Sequence, residues 1–167
     1  MPVNNFNYQL SWSDFTQVPS LPGGASEFAQ IHPDMNFRNF VLGRNGKSRT
    51  IAEVDVNITL VNPDCMVEYS KSTNELLRHE QLHYDIIALT ARELYNALKS
   101  LSATSVHELQ SQAEKLRSDF QQRAAIVDAR YDSQTKHARN TDIQSSWESR
   151  MTTVKQNPRG TINDLPS

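Results

Sequence analysis

One cysteine, Cys65, is all that the 167 residues contain. An internal disulfide and a thiolate zinc cluster are therefore excluded, and Cys65 reads as a small core residue. No apolar run approaches the roughly 20 residues that span a bilayer. Basic runs are missing too: 17 Lys and Arg stand against 19 Asp and Glu, for a net charge of −2. Nucleic-acid binding is not indicated. The opening residues, Met1-Pro2-Val3-Asn4-Asn5-Phe6-Asn7, lack the basic start and apolar core of a signal peptide. As written, the chain is expected to be cytoplasmic, or periplasmic or secreted if a leader was removed, with no membrane partner. There is no internal repeat and no low-complexity tract. The composition, 37% hydrophobic and 22% charged, suits one polar globular domain, long enough for a core without covalent staples.

Strand signals fill the first part of the chain. Thr50 to Leu60 alternates with period two, placing Val54, Val56, Ile58 and Leu60 on one face. Asn45-Gly46 before it is a hairpin turn signal, and Phe37 to Leu42 supplies the preceding strand. Cys65 to Tyr69 makes one more. Trp12 and Phe15 read as core anchors around a turn, and Pro19-Ser20-Leu21-Pro22-Gly23-Gly24 breaks any element.

Helix signals follow. Ser72 with Glu75 forms a capping box, and Leu76, His79, His83, Ile86, Ile87, Thr90, Leu94 and Leu98 recur at helical spacing to about Leu101. Ser105 and Glu108 open a second helix, whose inward stripe runs from Leu109 to Tyr131. Thr141 and Gln144 open a third, with Ile143, Trp147 and Met151 on one side. Asn157-Pro158-Arg159-Gly160 ends it. The expected fold is α+β: a small, mostly antiparallel sheet followed by three helices. One domain covers residues 1–157, and residues 158–167 form a loose tail.

The first helix carries His79-Glu80-Gln81-Leu82-His83. Residues four apart on a helix lie one turn above each other, with Cβ atoms about 5–6 Å apart. Two imidazoles at that spacing suit one Zn2+, whose Zn–N bonds are about 2.0–2.1 Å. Glu80 lies outside that row but within reach of a water beside the metal, where a general base belongs. The pattern points to metal-assisted hydrolysis.

A third ligand must come from elsewhere. Glu93 is too far along the same helix, about 15 Å past His83. His32 precedes Pro33 and reads as a surface residue. If the link Ser102 to Thr104 is short, the second helix returns antiparallel to the first. Its far end then approaches His79 and His83, which favours His137 over His107, about 45 Å away at the opposite end. Asp132 is the competing donor, or a carboxylate orienting a ligand histidine from behind. Tyr131 is a candidate hydrogen-bond donor to a developing oxyanion, and reads equally as a core residue on its stripe. Asp85 points away from the histidines and suits a cap or a salt bridge.

Three blocks carry a family resemblance. They are Leu10-Ser11-Trp12-Ser13-Asp14-Phe15, then Leu77-x-His79-Glu80-Gln81-x-His83-x-Asp85-Ile86 with Ala91-Arg92, and Tyr131-Asp132-x-x-Thr135-x-His137 with Gln144 and Trp147. Together the sequence resembles the bacterial predicted zinc-dependent protease family known as domain of unknown function 922. The family's glycines after the second-block Gln and the third-block His are Leu82 and Ala138 here. The resemblance implies a zincin-like fold with the metal motif on the first long helix, zinc as cofactor, and a peptide or protein substrate. It points to the same third ligand, His137. The competing readings are a helical interaction module without catalysis and a peptidase homologue that holds metal but cleaves nothing. The residues indicate no oligomeric state and no cleavage specificity.

Overall fold

The computed structural model describes residues 3–22 and 27–167. Met1, Pro2 and the two glycines of the Pro19–Gly24 break lie outside the described residues. Two long strands dominate the first half: β4 (Pro33–Asn45) and β5 (Ser48–Leu60), paired antiparallel through the Asn45-Gly46 turn. Gly46 has φ +60, the left-handed backbone such a turn requires. Val54, Val56 and Ile58 are buried on one face, as the alternation predicts, and Ile51 joins them. Ile51 and Val54 are three apart, and the register shifts between Arg38 and Leu42 of the facing strand absorb the change of parity.

The strands divide into two small sheets. In the first, β5 takes β4 on one edge. Its other edge takes β1 (Val3–Asn4), parallel, and β7 (Ser102–Ala103), antiparallel. In the second, β6 (Met66–Glu68) lies between β2 (Thr16–Val18), parallel, and β3 (Ala29–Gln30), antiparallel. The antiparallel pairing was expected. The parallel additions were not, since two- and three-residue strands carry no local pattern and depend on long-range partners.

Three helices follow: α1 (Asn74–Ser100), α2 (Val106–Thr135) and α3 (Thr141–Gln156). The fold is α+β. α1 lays Ile86, Leu89, Leu94 and Leu98 into the core shared with β5. Two caps differ from the expected ones. Thr73, not Ser72, caps α1, its hydroxyl accepting the Leu76 N–H at 3.2 Å. Asn140, not Thr141, caps α3, and Gln144 turns inward to donate to the Glu75 carbonyl at 3.0 Å. Ser105 caps α2 as expected.

The link between α1 and α2 is short because β7 is pinned to Arg49 and Thr50 of β5, and α2 returns along α1. The last ten residues are not a loose tail. Ile162 and Leu165 are buried, and Arg92, itself 3% exposed, donates to the carbonyls of Val154, Lys155 and Gly160. One guanidinium thus satisfies the open carbonyls at the end of α3 and fastens the segment beyond it. A Cβ at Gly160 would collide with the Val154 carbonyl. Among the described residues no helix is long and apolar enough to cross a membrane.

Candidate metal centre

The antiparallel run of α2 along α1 sets two pairs of polar residues against each other. α1 presents His79 and His83, one turn apart; α2 presents Asp132 and Asp128, also one turn apart. His79 Nε2 lies 3.1 Å from Asp132 Oδ1, and His83 Nε2 lies 3.0 Å from the same oxygen. The two Nε2 atoms are 3.1 Å apart. Three donors therefore form a nearly equilateral triangle. Ligands about 2.0–2.1 Å from a tetrahedral zinc stand about 3.3 Å from one another, so the triangle is close to one face of such a site.

The second pair fixes the ring that completes it. His83 Nδ1–H donates to Asp128 Oδ1 at 2.6 Å, a short, charge-assisted bond. That bond orients the imidazole and directs Nε2 toward the triangle. Burial disfavours a charged His83, but the facing Asp128 and Asp132 outweigh it and raise the ring well above its ordinary range. His79 shifts the other way: burial lowers it, and Asp132 only partly compensates. Asp132 is held far below the usual carboxylate range, its burial overcome by the bonds to both rings. At most one hydrogen fits between the two Nε2 atoms, and buried His79 Nδ1 has no hydrogen-bond partner among the described residues. A cation shared by both Nε2 atoms and Asp132 Oδ1 would satisfy all three. The donor set fits zinc, with imidazole and carboxylate as its usual ligands.

His137 reaches the same oxygen by a different route. After α2 the chain takes three consecutive left-handed residues: Lys136, His137 and Ala138 have φ +53, +52 and +65. The turn folds back, with the His137 N–H donating to the Asp132 carbonyl at 3.3 Å. His137 Nδ1 then stands 3.4 Å from Asp132 Oδ1 and 3.3 Å from Glu27 Oε1. The structure thus brings both proposed third ligands to the helix histidines, and Asp132 is the one that meets both. Ala138 thus holds a left-handed backbone that a glycine would adopt without strain.

Glu80 is 2% exposed and lines the cleft with His79, His83 and His137. Burial raises its carboxyl to about 8. The cleft measures about 140 Å3 and is edged by β3 and Glu27. Tyr131 does not line it. Its ring stacks on His79 at 4.7 Å and meets the edge of His83 at 5.0 Å, and its hydroxyl is buried with no hydrogen-bond partner among the described residues. Burial pushes that phenol far above its usual range. Tyr131 packs against both rings, and the Trp147 ring meets it at a tilt, 5.1 Å away.

His32 and His107 are exposed, as expected. Asp85 forms an ion pair with Lys155 at 2.7 Å, in a separate cavity of about 330 Å3 across α1. The reading of the sequence missed Asp128 and Glu27. Asp128 carried a usable signal: with Asp132 it repeats, on α2, the four-residue spacing of the two histidines.

A family described as bacterial protein of unknown function (DUF922) matches residues 23–138, more than half of the chain. The chain belongs to that family, and the matched stretch contains every residue of the cleft named above. No curated protein and no solved structure matches it.

Proposed function

We propose that the chain is a zinc-dependent peptidase. The observation that carries this reading is the convergence of His79 Nε2, His83 Nε2 and Asp132 Oδ1 within 3.1 Å of one another, beside buried Glu80 in an open cleft. His79, His83 and Asp132 would hold the cation. Asp132 is favoured over His137 as third donor because its oxygen faces both rings. Bound zinc supplies a Lewis acid that acidifies a water and polarises a scissile carbonyl.

The chain's own groups do the rest. Asp128 keeps the His83 ring in the binding tautomer. Tyr131 keeps both rings in place by packing. Glu80, buried and one residue from His79, takes a proton from the water and delivers it to the leaving nitrogen. A neighbouring cation favours its ionised form, which reverses the effect of burial. His137, beside the centre and part-exposed, is positioned to donate a hydrogen bond to the developing oxyanion, the part first considered for Tyr131.

The test combines metal content with hydrolysis of an unfolded protein. About one zinc per chain is expected, with chelator-sensitive cleavage. Glu80→Gln should keep the zinc and lose roughly two or more orders of magnitude in rate. Absence of stoichiometric metal would favour the interaction module, and metal without cleavage the inactive homologue.

A further inference from the structure

A second cavity, of about 300 Å3, opens beside the metal centre. His83, Asp128 and Ile31 line both cavities, so the second adjoins the cleft across these side chains. Ile31, Met35, Ile87 and Ala124 give it apolar walls. Its far end is polar: Asp34 on β4 accepts a hydrogen bond from Gln121 Nε2 at 3.0 Å, which fixes the direction of the carboxylate. Asp34 has no ion-pair partner among the described residues, and no Lys or Arg lines either cavity. The depth follows from α2. Asp128 and Gln121, which anchors Asp34, are two turns apart, about 10 Å along α2, the scale of an extended four-carbon stem with its charged head plus the ion-pair contact beyond it. An apolar stem against Ile87 and Ala124 with its cation on Asp34 fits the amphipathic build of lysine and arginine. A shorter apolar residue would leave the fixed carboxylate unmatched, and an acidic one would meet Asp128 and Asp34 with like charge.

Building on the peptidase reading above, we propose that this cavity is a side-chain pocket for lysine or arginine. The substrate class is then peptides with a basic residue beside the scissile bond.

Fluorescence anisotropy on the Glu80→Gln protein, with and without zinc, separates binding from turnover. The probes are labelled alanine pentapeptides with a central lysine, norleucine or glutamate. Lysine should bind about tenfold tighter than norleucine, the scale of one half-buried charge pair, and glutamate weakest. Asp34→Asn should abolish the preference while leaving the norleucine affinity unchanged. Gln121→Lys, which brings a cation to Asp34, should do the same through an independent change. Equal binding of lysine and norleucine, no binding of any probe, or a preference that survives both substitutions overturns the proposal. A lysine preference without hydrolysis by the wild-type protein would sink the peptidase reading alone. Hydrolysis that favours norleucine would sink the pocket alone.

Discussion

Removing the carboxylate behind His83 isolates one hydrogen bond of the proposed centre. In Asp128→Ala the 2.6 Å bond from His83 Nδ1 is lost, while His79, His83 and Asp132 keep their donor atoms. A hydrogen bond to a charged group contributes about 1.5–3 kcal/mol. The bond also forms without metal, so only its metal-linked share changes affinity; with the Asp128 side chain 39% exposed, that share is about 1.4 kcal/mol, or roughly tenfold in zinc affinity. Outer partners of metal-binding imidazoles fall in the same range, about 10–100-fold. Asp128→Asn keeps an acceptor without the charge and should lose less.

The pH dependence sharpens the test. In the metal-free protein burial opposes the charged His83 ring, but Asp128 leads the groups that raise it, so a proton competes with zinc there. Without Asp128 the ring gives up that proton more readily. The affinity deficit should therefore be largest at pH 8 and shrink toward pH 6. Competition against a chromophoric zinc chelator at both pH values measures it. Wild-type affinity in Asp128→Ala at pH 8, or a deficit that grows as the pH falls, would refute the reasoning.

Three further outcomes are expected. Asp132→Ala should weaken zinc binding by more than about a hundredfold, beyond what an outer partner contributes, and His137→Ala by much less; the reverse order restores His137 as third ligand. In metal-free protein, burial holds native Glu80 protonated up to about 8 against an ordinary 4.5. The native state therefore binds more protons than the unfolded one across that window, and stability falls as pH rises through it, by up to roughly 4 kcal/mol at pH 8. Glu80→Gln removes this loss, so its gain in Tm over wild type should grow from pH 5 to pH 8, and a gain that stays flat contradicts the buried acid. Arg92→Met leaves three carbonyls at the end of α3 and beyond without their donor, which should cost about 3 kcal/mol. Hydrogen exchange should then show residues 158–167 released first, and unchanged protection there would mean that Ile162 and Leu165 anchor the segment alone.

Local periodicity made one half of the centre legible and concealed the other. His79 and His83 share a helix, so their spacing alone placed them on one face, and the alternation in β5 showed which face is the core. The register of α2 against α1 is a tertiary quantity. It depends on two residues, Ser102 and Ala103, pairing with Arg49 and Thr50, and no local pattern announces such a pairing. Asp132 was legible as a competing donor because it lies near the returning end of α2, but Asp128, one turn earlier beside an apolar stripe, looks like an ordinary solvated acid until that register is known. His137 was legible by elimination, but the left-handed turn that returns it to Asp132 was not. The ordered C-terminal segment was missed for a related reason. Its anchor, Arg92, lies more than sixty residues away on α1, where a lone Arg reads as surface.

The register also joins stability to chemistry. Going up α1 from His79 through His83 to Ile87, α2 supplies Asp132, Asp128 and Ala124 in descending order, so the helix pair changes from polar to apolar contact within two turns. At the apolar level the pair is held by burial, which is favourable without any ligand. At the polar level it brings Asp132 and Asp128 toward two rings that are 2% and 8% exposed, and buried charge stabilises only when it is matched. Unloaded, that level is supported by the charge that Asp128 and Asp132 favour on His83, a contribution lost as the pH rises through its raised range. Loaded, zinc would take the proton's place and hold the same end of the helix pair together, adding stability by linkage to the native state alone. The residues proposed to activate water would then also close the end of the α1–α2 contact where the cleft opens. Loss of zinc should be felt first there, in the turn that carries His137, and not in the apolar level beneath it.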